Sequence, residues 1–573
     1  MLTVRRALVA VLLLLLLAFA WLWLTRPRRA DMTAYAPADA IVYAEADSLP
    51  AIVEAFTSTD AWKELAPAAG VEKRPGRAGW LTRFFAFTGL GPSDAVVLAR
   101  AQVAVVVLGF KAAEEPGATL KVSPREALIF ETHTSSWRVK SVVEQYVGDF
   151  ARKSLQKPSS ERKEVDGVPF YVWAEEGGRK IVVAVDESVA VVGNDEAAVR
   201  ACLDVRRGAR PSLAGDEQLK EMRTRVGGED ALAFAYAPRG SAAKAVEVYA
   251  PAVVPSMVEE PRLQSLLATV APQVVSQTLG ALGWSVRSDG HAIEDRYFVS
   301  LAGEMSQRLQ GPLAPSGTSA GGAASLLPRD AHDVTFYDFR NPEDAWRGLN
   351  AALSSQVDVS VAAFISRGLE ALVKPYGVES PREFLRACGS EVATARLAAE
   401  SEGKVLVAAV RDREALRARV LEHLGRGASV ERAGDAELLV SRDAESGAAA
   451  FADDYLLMGS EEDVRRCLAA RAEGRALRGS DALKAVTQDL FDGPAFARSL
   501  TDDRESARAV VALFARRGGA GAPEEALARH GYSVTQTRLA EGGFEKRTRS
   551  AFGLFGTILT RPEVRAALGG GGL

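Results

Sequence analysis

Cysteine is scarce in this chain, with Cys202, Cys388 and Cys467 the only three among 573 residues. So few, and an odd number, exclude a disulfide framework. All three are expected to be small buried residues, with one pair and one free thiol as the alternative. Histidine is nearly as rare. His133, His291, His332, His423 and His530 are scattered without H-x-x-x-H, C-x-x-C or similar spacing, so no metal site is expected. Excess charge is lacking too: 70 basic residues against 74 acidic ones leave a formal charge of −4, and general nucleic-acid binding needs a basic surface. No G-x-x-x-x-G-K-[ST] phosphate loop occurs. After the N-terminal stretch, no apolar run approaches the length that crosses a bilayer.

What is present begins at the start. Ala7 to Leu24 is an almost unbroken run of Ala, Val, Leu, Phe and Trp, preceded by Arg5 and Arg6 and followed by Arg26, Arg28 and Arg29. About 18 residues at 1.5 Å rise just cross a ~30 Å hydrocarbon core. Trp21 and Trp23 stand where an interfacial aromatic belt is expected. A cleavable signal peptide is the competing reading, because Ala18-Phe-Ala20 has the form of a processing site. Cleavage there would leave Trp21-Leu-Trp-Leu as an apolar mature terminus with no reason to be kept. Basic residues flank both ends, so the positive-inside bias nearly cancels. The short segment ahead of the span favours an inside N-terminus and an exported body. The expectation is a single-pass protein of the bacterial inner membrane with its body outside the cytoplasm. The membrane, met through the N-terminal helix, is its first expected partner.

The body is too long for one ordinary core, and 47% hydrophobic with 25% charged residues is the composition of folded protein. It is also written twice. Pro37-Ala-Asp-Ala40, the strand Ile41 to Ala46 and a helix capped by Asp47-Ser48 return as Pro328-Arg-Asp-Ala331, Val334 to Phe339 and a helix after Asn341-Pro342. Gly91 to Asp94 followed by Val103 to Val107 is matched by Glu379 to Arg382 followed by Val392 to Leu397. Ala127 to Glu131 is matched by Val405 to Ala409, each with a helix after it. The run Val189 to Val192, Gly193-Asn194 and Val199-Arg-Ala-Cys202-Leu203 parallels Tyr455 to Met458, Gly459-Ser460 and Val464-Arg-Arg-Cys467-Leu468. Leu213 and Leu477 follow charged connectors, and Gly283-Trp-Ser-Val286 is set against Gly531-Tyr-Ser-Val534. So many parallels in one order indicate a duplicated domain. The halves can be separate or packed about a pseudo-two-fold axis.

The single anchor, the P-A-D-A strand, the helix of Thr59-Asp-Ala-Trp-Lys-Glu-Leu65 and the second diverged copy resemble a family of bacterial membrane-anchored envelope proteins catalogued only as a domain of unknown function. The resemblance spans about residues 33 to 560. It implies an exported, anchored location and supplies no activity or binding residue. The fold class expected is α+β: an N-terminal transmembrane helix (1–30), a first mixed, largely antiparallel sheet-and-helix copy (31–310), a flexible Gly/Ser/Ala/Pro linker (311–327) and a second copy (328–573).

Strings that carry chemistry elsewhere have bland readings here. Gly317-Thr-Ser319-Ala-Gly321 spells a nucleophile elbow but lies in the linker, without the strand and helix that hold such a serine. Ser160-Glu-Arg-Lys163 spells S-x-x-K in what reads as a charged loop, without its companion strings. Gly425-Arg-Gly427 reads as a helix C-cap, and His133 as an exposed strand end. Asp453-Asp454 and Glu461-Glu462 fall at a turn and a helix N-terminus. Cys202 and Cys467 share apolar helix faces. Leu263 to Leu282 forms a longer apolar face, broken by Pro272, that is a core helix or the wall of a groove for a lipid-like ligand. No catalytic, cofactor-binding or metal-ligating residue is assigned, and no cofactor is expected. The functional expectation is a non-enzymatic binding or scaffold module of the envelope, contacting an envelope protein or lipid. The alternatives are a carrier or sensor of an apolar ligand and a hydrolase with dispersed residues.

Overall fold

Among the described residues, strands rich in β-branched and small apolar residues build one antiparallel sheet of 20 strands. The computed structural model describes residues 29–68, 97, 100–115, 119–257, 261–317, 321–355, 357, 359–399, 404–425, 427–443, 446–488, 490–514 and 524–559. The apolar run at 7–24 lies outside them, and among the described residues no helix is long and apolar enough to cross a membrane.

From one edge to the middle the strands are β4 (Ser159–Val165), β5 (Val168–Ala174), β6 (Lys180–Asp186), β7 (Val189–Gly193), β3 (Thr119–Glu131), β2 (Gln102–Glu115), β1 (Val42–Ala46), β8 (Ala233–Ala237), β9 (Leu279–Ser288) and β10 (Ile293–Leu301). β10 then pairs with β20 (Gly543–Ser550). Beyond it come β19 (Tyr532–Ala540), β18 (Ala497–Asp502), β11 (Asp333–Asp338), β12 (Cys388–Arg396), β13 (Val405–Val410), β17 (Tyr455–Gly459), β16 (Ala448–Ala452), β15 (Ala436–Val440) and β14 (Ser429–Ala433). Counted outwards from the central seam, both halves follow the same strand order. Small fastenings recur as well. Pro37 bridges to Ser212 and Pro328 to Ala476, while Leu213 N donates to Ala36 O at 2.9 Å and Leu477 N to Leu327 O at 2.7 Å.

Each half buries its sheet beneath helices on both faces. On one face Val199, Cys202 and Leu203 of the Glu196–Arg206 helix share a core with Ile129 and Val191 beneath them; Val464, Cys467 and Leu468 of the Glu461–Ala472 helix share one with Ala450 and Leu457. On the other face, Val139, Val143 and Ala151 cover Tyr171 and Val183, and Leu416, Val420 and Leu424 cover Leu406 and Leu439. The caps follow the sequence. Ser48 accepts from Ala51 N, Asn341 from Glu343 N and Ser460 from Asp463 N. Clusters across the seam join the halves: Trp62 and Leu65 pack with Val510, Leu527 and Phe552, Leu309 and Leu313 with Ala345 and Ala352, and Val286 and Ile293 with Phe555.

Three expectations change. Ser160-Glu-Arg-Lys163 is not a loop but part of β4, whose exposed charged residues sit on an outer strand where they discourage pairing with another chain. The linker is packed over its second half, because Ala323, Ala324, Leu326 and Leu327 are all buried in the second half's core. The G-aromatic-S-V match is also out of step by three residues. Tyr43 and Val334 both lie three residues after the P-x-D-A alanine, and they pair with Tyr236 and Leu500. Those residues pair in turn with Gly283 and Val534, so Gly283 corresponds to Val534 and not to Gly531. An odd slip reverses which face a strand's side chains occupy, so burial decides against it. Gly283 is needed where Met222 crosses the strand, since a Cβ there would overlap the Met222 side chain. Gly283→Val is therefore expected to lower stability by about 1–3 kcal/mol. Urea unfolding of the full chain checks this, and an unchanged midpoint would show that Met222 does not fill the space.

Candidate functional site

The same register brings four arginines together at the middle of the sheet. Arg287 of β9 lies opposite Glu294 of β10, and Arg538 of β19 lies opposite Glu545 of β20. Two residues along, Arg296 and Arg547 face each other directly across the seam. Each occupies the same position in its half, so the local two-fold passes between them. Period-two alternation puts Glu294, Arg296, Glu545 and Arg547 on one face. That face also meets the segments that follow the Glu217–Arg225 and Asp481–Thr487 helices.

The guanidinium groups are held by carbonyls, two carboxylates and a ring. Arg287 donates through Nε to Gly227 O at 2.9 Å, and Arg296 through Nε to Glu294 Oε1 at 2.6 Å. Gly227 has φ 65°, and a Cβ there would stand 3.0 Å from Arg287 Nη2 and 3.3 Å from Arg296 Nη1. Both side chains thus converge on a position that glycine keeps open. Across the seam Arg538 donates to Glu545 Oε2 at 2.6 and 2.8 Å. Arg547 donates to Leu490 O at 2.7 Å and to Glu545 Oε1 at 3.2 Å. The guanidinium carbons of Arg538 and Arg547 lie 4.4 and 4.6 Å from the centre of the Phe491 ring. Arg225 reaches over from the first half to donate to Glu541 O at 2.6 Å.

Four arginines against two glutamates leave this row with two positive charges in excess. Arg296, Arg538 and Arg547 are 26%, 28% and 20% exposed, so their charge is only partly screened by water. Arg547 Nε is buried without a hydrogen-bond partner. Planar donors fixed in this way bind oxyanions in pairs of parallel hydrogen bonds, and partial burial strengthens each bond. What the row can do chemically is hold negative charge. No protein-family model, curated protein or solved structure matches this chain.

The residues that sequence reasoning singled out lie elsewhere. Ser319 is outside the described residues. Cys202, Cys388 and Cys467 are free and buried, and burial pushes each thiol up to about 12. Among the described residues no group of three or more His, Cys, Asp or Glu is placed to hold a metal ion. His291, His332, His423 and His530 stand beside Asp60, Asp333, Glu379 and Glu64 respectively. His133 is not exposed: its side chain is 14% accessible, its φ is 51° and its Nε2 lies 3.0 Å from Gln102 Oε1. Asp453 has φ 50° in the β16–β17 turn, and Gly425 ends its helix at φ 83°. Val270 of the Pro261–Thr278 helix is buried, that helix packs on Ser241–Met257, and Leu279 and Leu282 belong to β9. The arginine row did leave a signal. Glu294-Asp-Arg296 and Glu545-Lys-Arg547 repeat E-x-R in strands that turn out to be neighbours.

Proposed function

We propose that this chain is a membrane-tethered, extracytoplasmic binding module of the bacterial envelope, formed from two diverged copies of one α+β domain, which holds an anionic group at the seam between them. The shared strand order and the paired fastenings support the duplication. The apolar run at 7–24 supports the single-pass tether, with the N-terminus inside and the body outside. Kinship with the anchored envelope family belongs to the same proposal. The row Arg287, Arg296, Arg547 and Arg538 carries the binding reading, because it gathers positive charge that two glutamates do not balance. Phosphate and carboxylate groups are the ligand chemistry that such a row recognises.

Calorimetric titration of the full chain in nanodiscs with inorganic pyrophosphate or citrate tests it. Binding should weaken as salt rises, since the interaction is between charges. Arg296→Gln combined with Arg547→Gln should reduce affinity at least tenfold, given about 1.5–3 kcal/mol for each hydrogen bond to a charged group. Absence of binding by the wild-type chain, or equal affinity in the double variant, would overturn the assignment.

A further inference from the structure

The seam leaves unused the end of the first half where the chain leaves its N-terminal run. That run ends at Leu24, and Arg29 and Ala30 are already fastened to the fold. Arg29 Nη1 lies 3.1 Å from Asp47 Oδ2; Ala30 N donates to Gln102 Oε1 at 2.7 Å, and Gln102 Nε2 donates to Ala30 O at 2.9 Å. Gln102 is 2% exposed, so this clasp belongs to the core. Leu24 and Arg29 are five residue steps apart. At about 3.5 Å per residue these steps reach no further than ~18 Å. The end of the sheet that carries Gln102 therefore stays close to whatever surface the run is embedded in.

The same amide leads to an exposed aromatic residue. Gln102 Oε1 lies 3.0 Å from His133 Nε2. His133 takes a left-handed backbone conformation, its N–H donates to Glu131 Oε1 at 3.0 Å, and Thr132 Oγ1 donates to Ser188 O at 2.7 Å. These bonds fix the turn that starts the Ser136–Val142 helix, whose Val139 is 2% exposed and anchors it. Trp137, on the first turn, is 67% exposed, more than any other large apolar side chain among the described residues. Arg138 lies over its ring with the guanidinium carbon 5.8 Å from the centroid, and Lys140 follows. An indole beside two cations is a combination suited to the headgroup layer of a bilayer, where an apolar body and a polar edge are both satisfied.

We propose that Trp137, flanked by Arg138 and Lys140, seats in the headgroup layer of the membrane that holds the N-terminal run. The bilayer is the occupant because the run leads within six residues to Ala30, whose partner Gln102 also meets His133 at the start of this turn; this inference rests on the anchor reading. Docking at Trp137 would fix the orientation of the body and leave the seam facing a defined direction.

A site-directed probe tests it in the full chain. The native thiols are buried, so a cysteine introduced by Ser135→Cys is the one available for labelling, and Val430→Cys on the far edge strand serves as a control. The labelled protein is reconstituted into phosphatidylcholine–phosphatidylglycerol vesicles with and without brominated lipid. The chain should float with the vesicles after an alkaline wash. A fluorophore at 135 should be blue-shifted and quenched severalfold more than one at 430, and Trp137→Ser in the same background should remove the difference. Flotation with equal quenching at 135 and 430 would overturn the docking while leaving the anchor standing. Equal quenching with and without Trp137 would do the same. Failure to float would overturn the anchor, and the docking with it.

Discussion

Trp62→Ala is expected to destabilise the folded chain by about 3–5 kcal/mol, the range for emptying a large buried aromatic site. Trp62 is 1% exposed on the Asp60–Ala68 helix, whose start is held by Thr59 Oγ1 accepting from Trp62 N at 3.2 Å. Its neighbours are Leu65 from its own helix and Val510, Leu527 and Phe552 from the other half of the chain. The loss therefore falls on packing that joins the halves. Denaturant unfolding of the full chain measures it, with Phe150→Ala as the comparison because Phe150 is 52% exposed. The tryptophan variant should unfold at a much lower denaturant concentration, and the phenylalanine variant should move by less than about 0.5 kcal/mol. Similar shifts for both would contradict the packing described here.

The second large effect is one of pH. Asp295 is 1% exposed on β10, on the face opposite the arginine row, and accepts from Trp284 Nε1 and Leu554 N at 2.9 Å each. Burial pushes its carboxyl up to about 6 from an ordinary value of 3.8, although these two hydrogen bonds pull the other way. Below about pH 4 the carboxyl is protonated in both folded and unfolded chains, and it contributes no pH dependence. Between about 4 and 6 the unfolded chain ionises while the folded chain keeps its proton, so stability falls as pH rises. Above that window the folded state carries the full cost of the buried charge, about 3 kcal/mol from ~1.36 kcal/mol for each pKa unit. Asp295→Asn has no proton to lose and should abolish that fall. At pH 4 the variant should be the less stable protein, because an amide oxygen serves only one of the two donors well. Stability measured from pH 4 to 7 in both proteins checks the sign. A wild-type chain that gained stability relative to the variant on rising through pH 6 would refute it.

Much of the architecture could be read from short phrases. The strands around Ile41, Val334, Ala127, Val405, Val189 and Tyr455 were marked by β-branched and aromatic residues between turn residues, and their order along the chain is the order the sheet repeats. The capped helices were equally plain, because Ser48, Asn341 and Ser460 act locally through hydrogen bonds to nearby N–H groups. The remaining features are non-local. β4 and β14 are polar because they are the sheet's outer strands, a property of their neighbours that the strings S-S-E-R-K-E-V and S-V-E-R-A do not announce. The Gly283 match misleads because three letters and an aromatic agree while the burial pattern, visible only through Met222, differs. The linker looked loose by composition, yet its alanines and leucines face a core supplied by distant strands.

The arginine row was hidden for a related reason. Each E-x-R is unremarkable alone, since paired charges on a strand are usually a solvated face. Only the β10–β20 register makes Arg296 and Arg547 neighbours and aligns Arg287 and Arg538 beside them. The seam is therefore the feature on which the site depends.

Amide hydrogen exchange on the full chain tests that seam most directly. If β10 and β20 are central strands of one continuous sheet, the amides that bond across them, from Ile293 to Ser300 and from Gly543 to Ser550, should be among the slowest to exchange and should open together. Fast exchange along one or both of these strands, while the interior of its own half stays protected, would mean that the halves do not share a sheet and that the arginine row does not form.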